Sequence, residues 1–306
     1  MVTLNYKKNN VIAILLTSFT IIIGSVNLLS FENSFAHNFS PDESAHFLTF
    51  VDKIKVESEL AANSTSNNNN LSSAQLHVNN ALLNYDSHTK DEIAERNERI
   101  ANELEDTLNQ LLEEVKSQTD QSQLNDTVET IAAILEEAIS TRIDEEQLNN
   151  STIQALVFAS IVDTALQNYG DAYNVGFDLT NMLNMMMSPT TTYDNTTTVT
   201  NGHNNQGSTD VSTHDTIVNF TNYESALGFS NSALDQFINE IKPSIQSQTG
   251  EESNNTTNQN YFEKLENGLV EFNNAIKNKE NPMKVMEIVH TQIHPNLQIL
   301  FNLKIG

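Results

Sequence analysis

The chain lacks cysteine and tryptophan, and only nine of its 306 residues are glycine. Without cysteine it can form no disulfide, no iron–sulfur cluster, no thiolate nucleophile and no cysteine-ligated zinc site. The shortage of glycine disfavours barrels and nucleotide-binding folds, whose tight turns and phosphate loops need that residue. Stability is therefore expected to come from helix packing, with metal or glycans as the available supplements.

Basic residues are also scarce. The chain has 15 Lys and Arg against 40 Asp and Glu, a formal net charge of −25. Nucleic-acid binding needs clustered cations to contact the phosphates, so this composition predicts no nucleic-acid partner. A diffuse acidic surface is usually a solubility device, although it also attracts cations.

Long apolar runs are absent except at the start of the chain. Lys7 and Lys8 precede an almost wholly apolar stretch at 11–29, and Ser34-Phe35-Ala36 supplies the small residues that a signal peptidase reads. Residues 1–36 are therefore predicted to be a signal peptide. The alternative is an uncleaved anchor, which would be the chain's only membrane contact. Both alternatives predict a secreted or extracytoplasmic, cell-surface protein.

No recognised catalytic motif is present. The chain has no Gly-x-Ser-x-Gly elbow, no His-Glu-x-x-His pair and no phosphate-binding loop. The sequence leaves enzymatic activity open and favours a non-catalytic protein.

Apolar residues recur at helical spacing through most of the remaining chain. A clear example is the series Ile93, Ile100, Leu104, Leu108, Leu111 and Val115. The pattern predicts an all-α fold, an antiparallel bundle of about eight helices. Residues 37–187 form its N-terminal portion, 188–215 are a flexible low-complexity loop rich in Thr, Asn and Gly, and 216–306 are C-terminal helices packing on the same bundle.

A predicted cut after Ala36 makes His37 the new N-terminus. The α-amine and imidazole of a terminal histidine can chelate one copper ion together, and a second imidazole completes a T-shaped site. His46 is a candidate for this third ligand, because residues 37–40 span about 10 Å when extended. The alternative is that His37 belongs to a frayed terminus.

Near the end of the chain, Glu287, His290 and His294 are further candidate ligands. His290 and His294 are four residues apart and would share a helix face. Pro295 is expected to end or kink the helix at His294. Glu43-x-x-His46 and Glu287-x-x-His290 also match a di-iron motif, but their positions on the first and last helices disfavour that interpretation.

Met185, Met186 and Met187 offer thioethers of the kind that Cu(I) accepts, although a short methionine run more often packs in a core. His77 and His88 are too far apart along a helix to share an ion, so both are expected at the surface.

Asparagine is abundant and often stands in Asn-x-Ser/Thr sequons, mostly in expected loops. A glycosylated surface is predicted if the host glycosylates exported proteins. The ten sequons are at Asn38, Asn63, Asn70, Asn125, Asn149, Asn150, Asn195, Asn219, Asn254 and Asn255.

Two segments carry a family resemblance: Ala36-His-Asn-Phe-Ser-Pro-Asp-Glu-Ser-Ala45 and Val289-His-Thr-Gln-Ile-His-Pro-Asn-Leu297. Together with Asn97–Leu104, they resemble a secreted helical protein family of ammonia-oxidising archaea. The resemblance implies export in an archaeon with copper-rich metabolism and surface glycosylation, and it implies no established activity. It carries over His37, His290 and His294 as candidate ligands.

Two functions from different classes follow. One is an exported helical protein that binds or handles copper through its N-terminal and C-terminal histidines. The other is a glycosylated structural or interaction protein of the cell surface, without metal, whose partner is another surface protein.

Overall fold

The computed structural model describes residues 42–68, 70–175, 216–243 and 256–303. Within these segments the chain is helical and contains no strand, so the predicted all-α bundle of about eight helices is confirmed. The predicted signal peptide and the predicted loop at 188–215 lie outside the described residues. The helices are α1 (Glu43–Asn68), α2 (Leu71–Asn84), α3 (Ser87–Ser117), α4 (Gln121–Arg142), α5 (Glu145–Leu148), α6 (Ser151–Ala172), α7 (Phe220–Gln236), α8 (Thr256–Lys277), α9 (Pro282–Ile288) and α10 (His294–Phe301).

Two π-helical segments interrupt the regular helices: π1 (Phe237–Ile241) follows α7, and π2 (Val289–Ile293) joins α9 to α10. Pro295 explains the second of them. Proline has no N–H and its ring crowds the preceding turn. The wider turn accommodates it, with the His294 N–H bonded to the Val289 carbonyl. The expected end or kink at His294 is therefore replaced by a wider turn in a continuing helix.

Short polar side chains start most helices. Asn70, Asp86, Asp120 and Asn150 each accept hydrogen bonds from backbone N–H groups in the first turn of α2, α3, α4 and α6. These N–H groups have no partner within the helix, so a capping oxygen stabilises each start by about 1 kcal/mol. In a chain with little glycine or proline, such capping side chains mark where the helices begin.

The first helix is longer than its sequence predicts. Asparagine and serine are weak helix formers, yet α1 continues through the Asn-rich tract that begins at Asn63 and ends only at Asn68. Gln121 of α4 donates to the Ala62 carbonyl and accepts from the Thr65 hydroxyl. Tertiary contacts therefore override the weak helix propensity of this tract. The sequon at Asn63 consequently lies within a helix rather than in a loop.

The buried apolar residues form two clusters. The N-terminal core is built from α1 to α4 and includes Phe47, Ile54, Leu104 and Leu111. The C-terminal core is built mainly from α6 to α10 and includes Phe158, Phe229, Phe272 and Leu297. Helix α1 contributes to both, since Val56 belongs to the C-terminal core. Most of these helices bury one apolar stripe, whereas α6 is apolar over most of its surface, as expected for a central helix.

Polar contacts reveal the directions of the central helices. Along α1, Asp52 pairs with Gln236 and Glu57 pairs with Ser225. Numbers therefore rise on α1 as they fall on α7, so these two helices are antiparallel. No helix among the described residues is long and apolar enough to cross a membrane.

Candidate functional site

One buried histidine lies between two glutamates from different helices. His77 of α2 is fully buried. Its Nδ1 lies 2.7 Å from Oε2 of Glu57 on α1, and its Nε2 lies 3.4 Å from Oε2 of Glu224 on α7. The expectation that His77 is a surface residue is therefore wrong. We call Glu57, His77 and Glu224 the central triad.

Small polar side chains complete the hydrogen bonding of both glutamates. Ser225 Oγ donates to Glu57 Oε1 at 2.7 Å, and Asn80 Nδ2 lies 3.4 Å from Glu57 Oε2. Ser73 donates its hydroxyl to Glu224 and is also 3.2 Å from the hydroxyl of Thr221. The triad is thus a satisfied network, as buried charges require.

The triad shifts the protonation equilibria of its members. Burial alone lowers the pKa of His77, but the hydrogen bonds to Glu224 and Glu57 outweigh burial and raise it. Burial likewise raises the pKa of Glu224, but the hydrogen bonds from His77 and Ser73 outweigh that effect and lower it. Both shifts favour an imidazolium bound to carboxylate.

The second histidine cluster lies at the C-terminal end of the chain. The π2 turn and the start of α10 bring His290 and His294 side by side, with ring centroids 5.4 Å apart and ring planes at 75°. His294 is buried and His290 is half-buried. The Nε2 atom of His294 lies 3.0 Å from Oδ1 of Asp163 on α6. We call His290 and His294 the C-terminal pair.

Asp163 also interacts with a lysine on the first helix. Burial lowers the pKa of Lys53, against the opposing attraction of Asp163. The carboxylate of Asp163 on the central helix α6 thus pairs with an imidazole from α10 and acts electrostatically on a cation from α1. This arrangement offsets the cost of burying the charge of Asp163.

The other predicted ligands are not part of these clusters. His46 is exposed on α1 and packs edge-on against Phe50, with ring centroids 4.4 Å apart. Glu287 is exposed on α9. The predicted ligands His37, Met185, Met186 and Met187 lie outside the described residues. In the part of the chain that the structure describes, no group of three or more His, Asp or Glu side chains is arranged to hold a metal ion.

An acidic groove runs between α1 and the α7–π1 segment, with a volume of about 410 Å³. Its acidic lining residues are Asp52, Glu59, Asp235 and Glu240, and Lys55 lines it too. Burial, with the nearby charge of Glu240, raises the pKa of Asp52 to about 7. Gln236 Nε2 donates to Asp52 at 2.6 Å. The groove therefore concentrates negative charge that its single lysine does not balance.

Sequence reasoning missed Glu57, His77, Asp163 and Glu224. A signal was present for His77, which shares a helical stripe with Ala74, Val78 and Ala81, all fully buried. A polar residue within an apolar stripe indicates a buried polar group that needs a partner. Its partners came from distant parts of the sequence and had no local signal. Comparison of the chain with protein-family models, curated proteins and solved structures found no match.

Proposed function

We propose that the protein is an exported helical-bundle protein that binds copper through the C-terminal pair, with the processed N-terminus at His37 supplying further ligands. The observation that carries the proposal is the placement of His290 beside His294. Metal–nitrogen bonds of about 2.0–2.1 Å put the ring centres of two ligands to one ion at most about 6 Å apart. The observed separation of 5.4 Å lies within that limit.

Asp163 supports this site chemically. Metal-binding histidines usually have a carboxylate or carbonyl at their second ring nitrogen, which orients the ring and raises its basicity. Asp163 lies 3.0 Å from Nε2 of His294, so Nδ1 of that ring is the nitrogen assigned to the metal. The carboxylate also supplies negative charge beside the cation.

The length of the N-terminal segment allows a terminal ligand. Asp163 neighbours both His294 and Lys53. Lys53 lies about 16 Å along α1 from Asp42. Residues 37–42 span about 17 Å when extended. The two lengths are similar, so we propose that a free amine at His37 supplies the terminal ligand.

The first test measures copper binding to the exported form. Mass spectrometry of the secreted protein identifies the cleavage site, and competition titration with a copper chelator measures affinity. We expect one copper ion per chain, and at least tenfold weaker binding for His290→Ala, for His294→Ala and for a protein with one residue added before His37. His46→Ala tests the other expected ligand. Equal binding by the extended protein and both histidine variants would contradict the proposal.

A metal-free surface protein is the second candidate function. Leu76 and Leu83 on α2 are 46% and 75% exposed, and they lie on the same face because they are seven residues apart. Exposed large apolar side chains are typical of contact surfaces when they cluster. Absence of copper from the secreted protein, with self-association or partner binding lost in Leu83→Glu, would favour this function.

A further inference from the structure

The central triad lies where the two hydrophobic cores meet. His77 is on α2, whose neighbours Ala74 and Val78 belong to the N-terminal core. Glu224 is on α7, whose neighbours Tyr223 and Ala226 belong to the C-terminal core. Glu57 stands on α1, which contributes to both. The triad therefore connects helices from two separately packed halves of the bundle.

With both glutamates ionised, only the protonated form of His77 satisfies this geometry. An imidazolium has two N–H donors, one for each carboxylate. A neutral imidazole has a single donor, so its other nitrogen would present a lone pair to a carboxylate oxygen at 2.7 or 3.4 Å. Removing the proton also leaves two buried carboxylates facing each other without the cation between them.

We infer that the central triad is a proton-controlled lock: protonated His77 holds α2 against α7, and loss of its proton loosens the contact between the two cores. The charges that act on His77 within the described residues are Glu57 from α1 and Glu224 from α7. Asn80, Ser73, Thr221 and Ser225 contribute neutral polar groups around them.

The direction of the response follows from the triad's charges. The pKa of His77 is raised in the folded protein, because its hydrogen bonds to Glu224 and Glu57 outweigh the opposing effect of burial. Its stabilising contribution is then fully present below the ordinary histidine pKa of about 6.5 and is lost as pH rises through the folded value. The pKa of Glu224 is lowered, so the contact between Glu224 and His77 fails on the acid side only below the ordinary range of glutamate. The lock is therefore closed at mildly acidic pH and opens toward alkaline pH.

The test compares the full chain with two variants between pH 5 and 9. His77→Gln keeps a hydrogen-bonding side chain but cannot carry a charge. His46→Gln makes the same chemical change at an exposed position of α1 and is the matched control. Chemical denaturation measures the unfolding equilibrium, and hydrogen–deuterium exchange measures the opening of α2 and α7 relative to α3 and α4.

For the wild-type protein and for His46→Gln, we expect the unfolding equilibrium constant to rise by up to tenfold per pH unit above about pH 6.5. In His77→Gln this rise with pH should be missing, and the stability of the variant should approach that of the wild type at alkaline pH. Exchange in α2 and α7 should accelerate with pH more than exchange in α3 and α4. Parallel pH profiles for His77→Gln and the wild type would overturn the inference.

If His77→Gln does not fold, measurements on the wild-type protein still test the inference. The ring resonances of His77 in the wild-type protein report its protonation directly, and uniform exchange across α2, α3, α4 and α7 from pH 6 to 9 would equally overturn the lock. Neither measurement involves copper, so its outcome is independent of the proposed metal site.

Discussion

The two histidine clusters of the bundle differ in the contacts that their ring nitrogens make. Both nitrogens of His77 have a glutamate within 3.4 Å, and the ring is wholly buried. The C-terminal pair places two imidazoles side by side, with Asp163 3.0 Å from Nε2 of His294, and His290 is half-buried.

The difference separates a structural role from a binding role. A ring with an acid at each nitrogen has no lone pair to give to a metal, because both nitrogens carry protons. Two adjacent imidazoles with a carboxylate at one ring match the usual surroundings of metal-binding histidines. Histidine content alone therefore does not distinguish the two clusters, whereas the contacts of each ring do.

The largest expected effect comes from removing one acid of the central triad. Glu57→Ala leaves the charged ring of His77 and the hydroxyl of Ser225 without their carboxylate partner in a buried site. We expect a loss of about 3–5 kcal/mol of unfolding free energy at pH 6, measured by chemical denaturation.

Replacing the whole triad is the informative control. In Glu57→Met/His77→Leu/Glu224→Met, no buried charge is left without a partner, so stability should return close to that of the wild type. A Glu57→Ala variant within 0.5 kcal/mol of the wild type would mean that water or rearrangement replaces the carboxylate, contrary to the packing described above.

The next effect tests Asp52 on α1, where the attraction of Lys55 does not offset the effect of burial. The pKa of Asp52 is raised to about 7 by burial and by Glu240. Folded Asp52 therefore holds its proton more tightly than in the unfolded chain, and stability falls as pH rises from about 4 to 7. Asp52→Asn should raise the unfolding free energy at pH 8 by on the order of 1–3 kcal/mol and leave it nearly unchanged at pH 4. A variant less stable than the wild type at pH 8 would show that the charged form is favoured.

Helix positions could largely be predicted from sequence, because the information is local. The spacing of Leu104, Leu108 and Leu111 sets the buried face of α3, and all three are fully buried. Asp86 and Asn150 mark helix starts through their own short side chains. The Asn-rich end of α1 could not be predicted in this way, because it is held by contacts with Gln121, more than fifty residues away.

The charged clusters could not be predicted because their members come from distant segments. His77 is separated from Glu224 by 147 residues, and Asp163 contacts His294 across helices that are not consecutive. Only the four-residue spacing of His290 and His294 was visible in the sequence, and the structure places their rings side by side. Which acid faces which ring depends on helix packing, and no local pattern encodes it.

A smaller effect on stability is expected at the C-terminal pair. Asp163→Asn removes the negative charge beside His294 and Lys53, and should cost about 1–2 kcal/mol in unfolding free energy. Copper affinity should fall about 10–100-fold, as for other carboxylates behind metal-binding histidines. Asp171→Asn, on the exposed end of α6, is the matched control. Equal losses in the two variants would show that overall charge, rather than contact with His294, matters.

The smallest expected effect is at His46, whose ring is exposed and touches Phe50 at its edge. Surface substitutions of this kind usually change stability by less than about 0.5 kcal/mol, so His46→Ala should unfold with the wild-type midpoint at every pH. This result would show that the exposed histidine His46 does not contribute to the pH dependence of stability. Copper titration of the same variant then gives independent information: unchanged affinity removes His46 from the ligand set and leaves the C-terminal pair, whereas a tenfold loss would require the N-terminal segment and α1 to share the ion. A pH-dependent change in stability for His46→Ala would contradict the distinction between the two histidine environments.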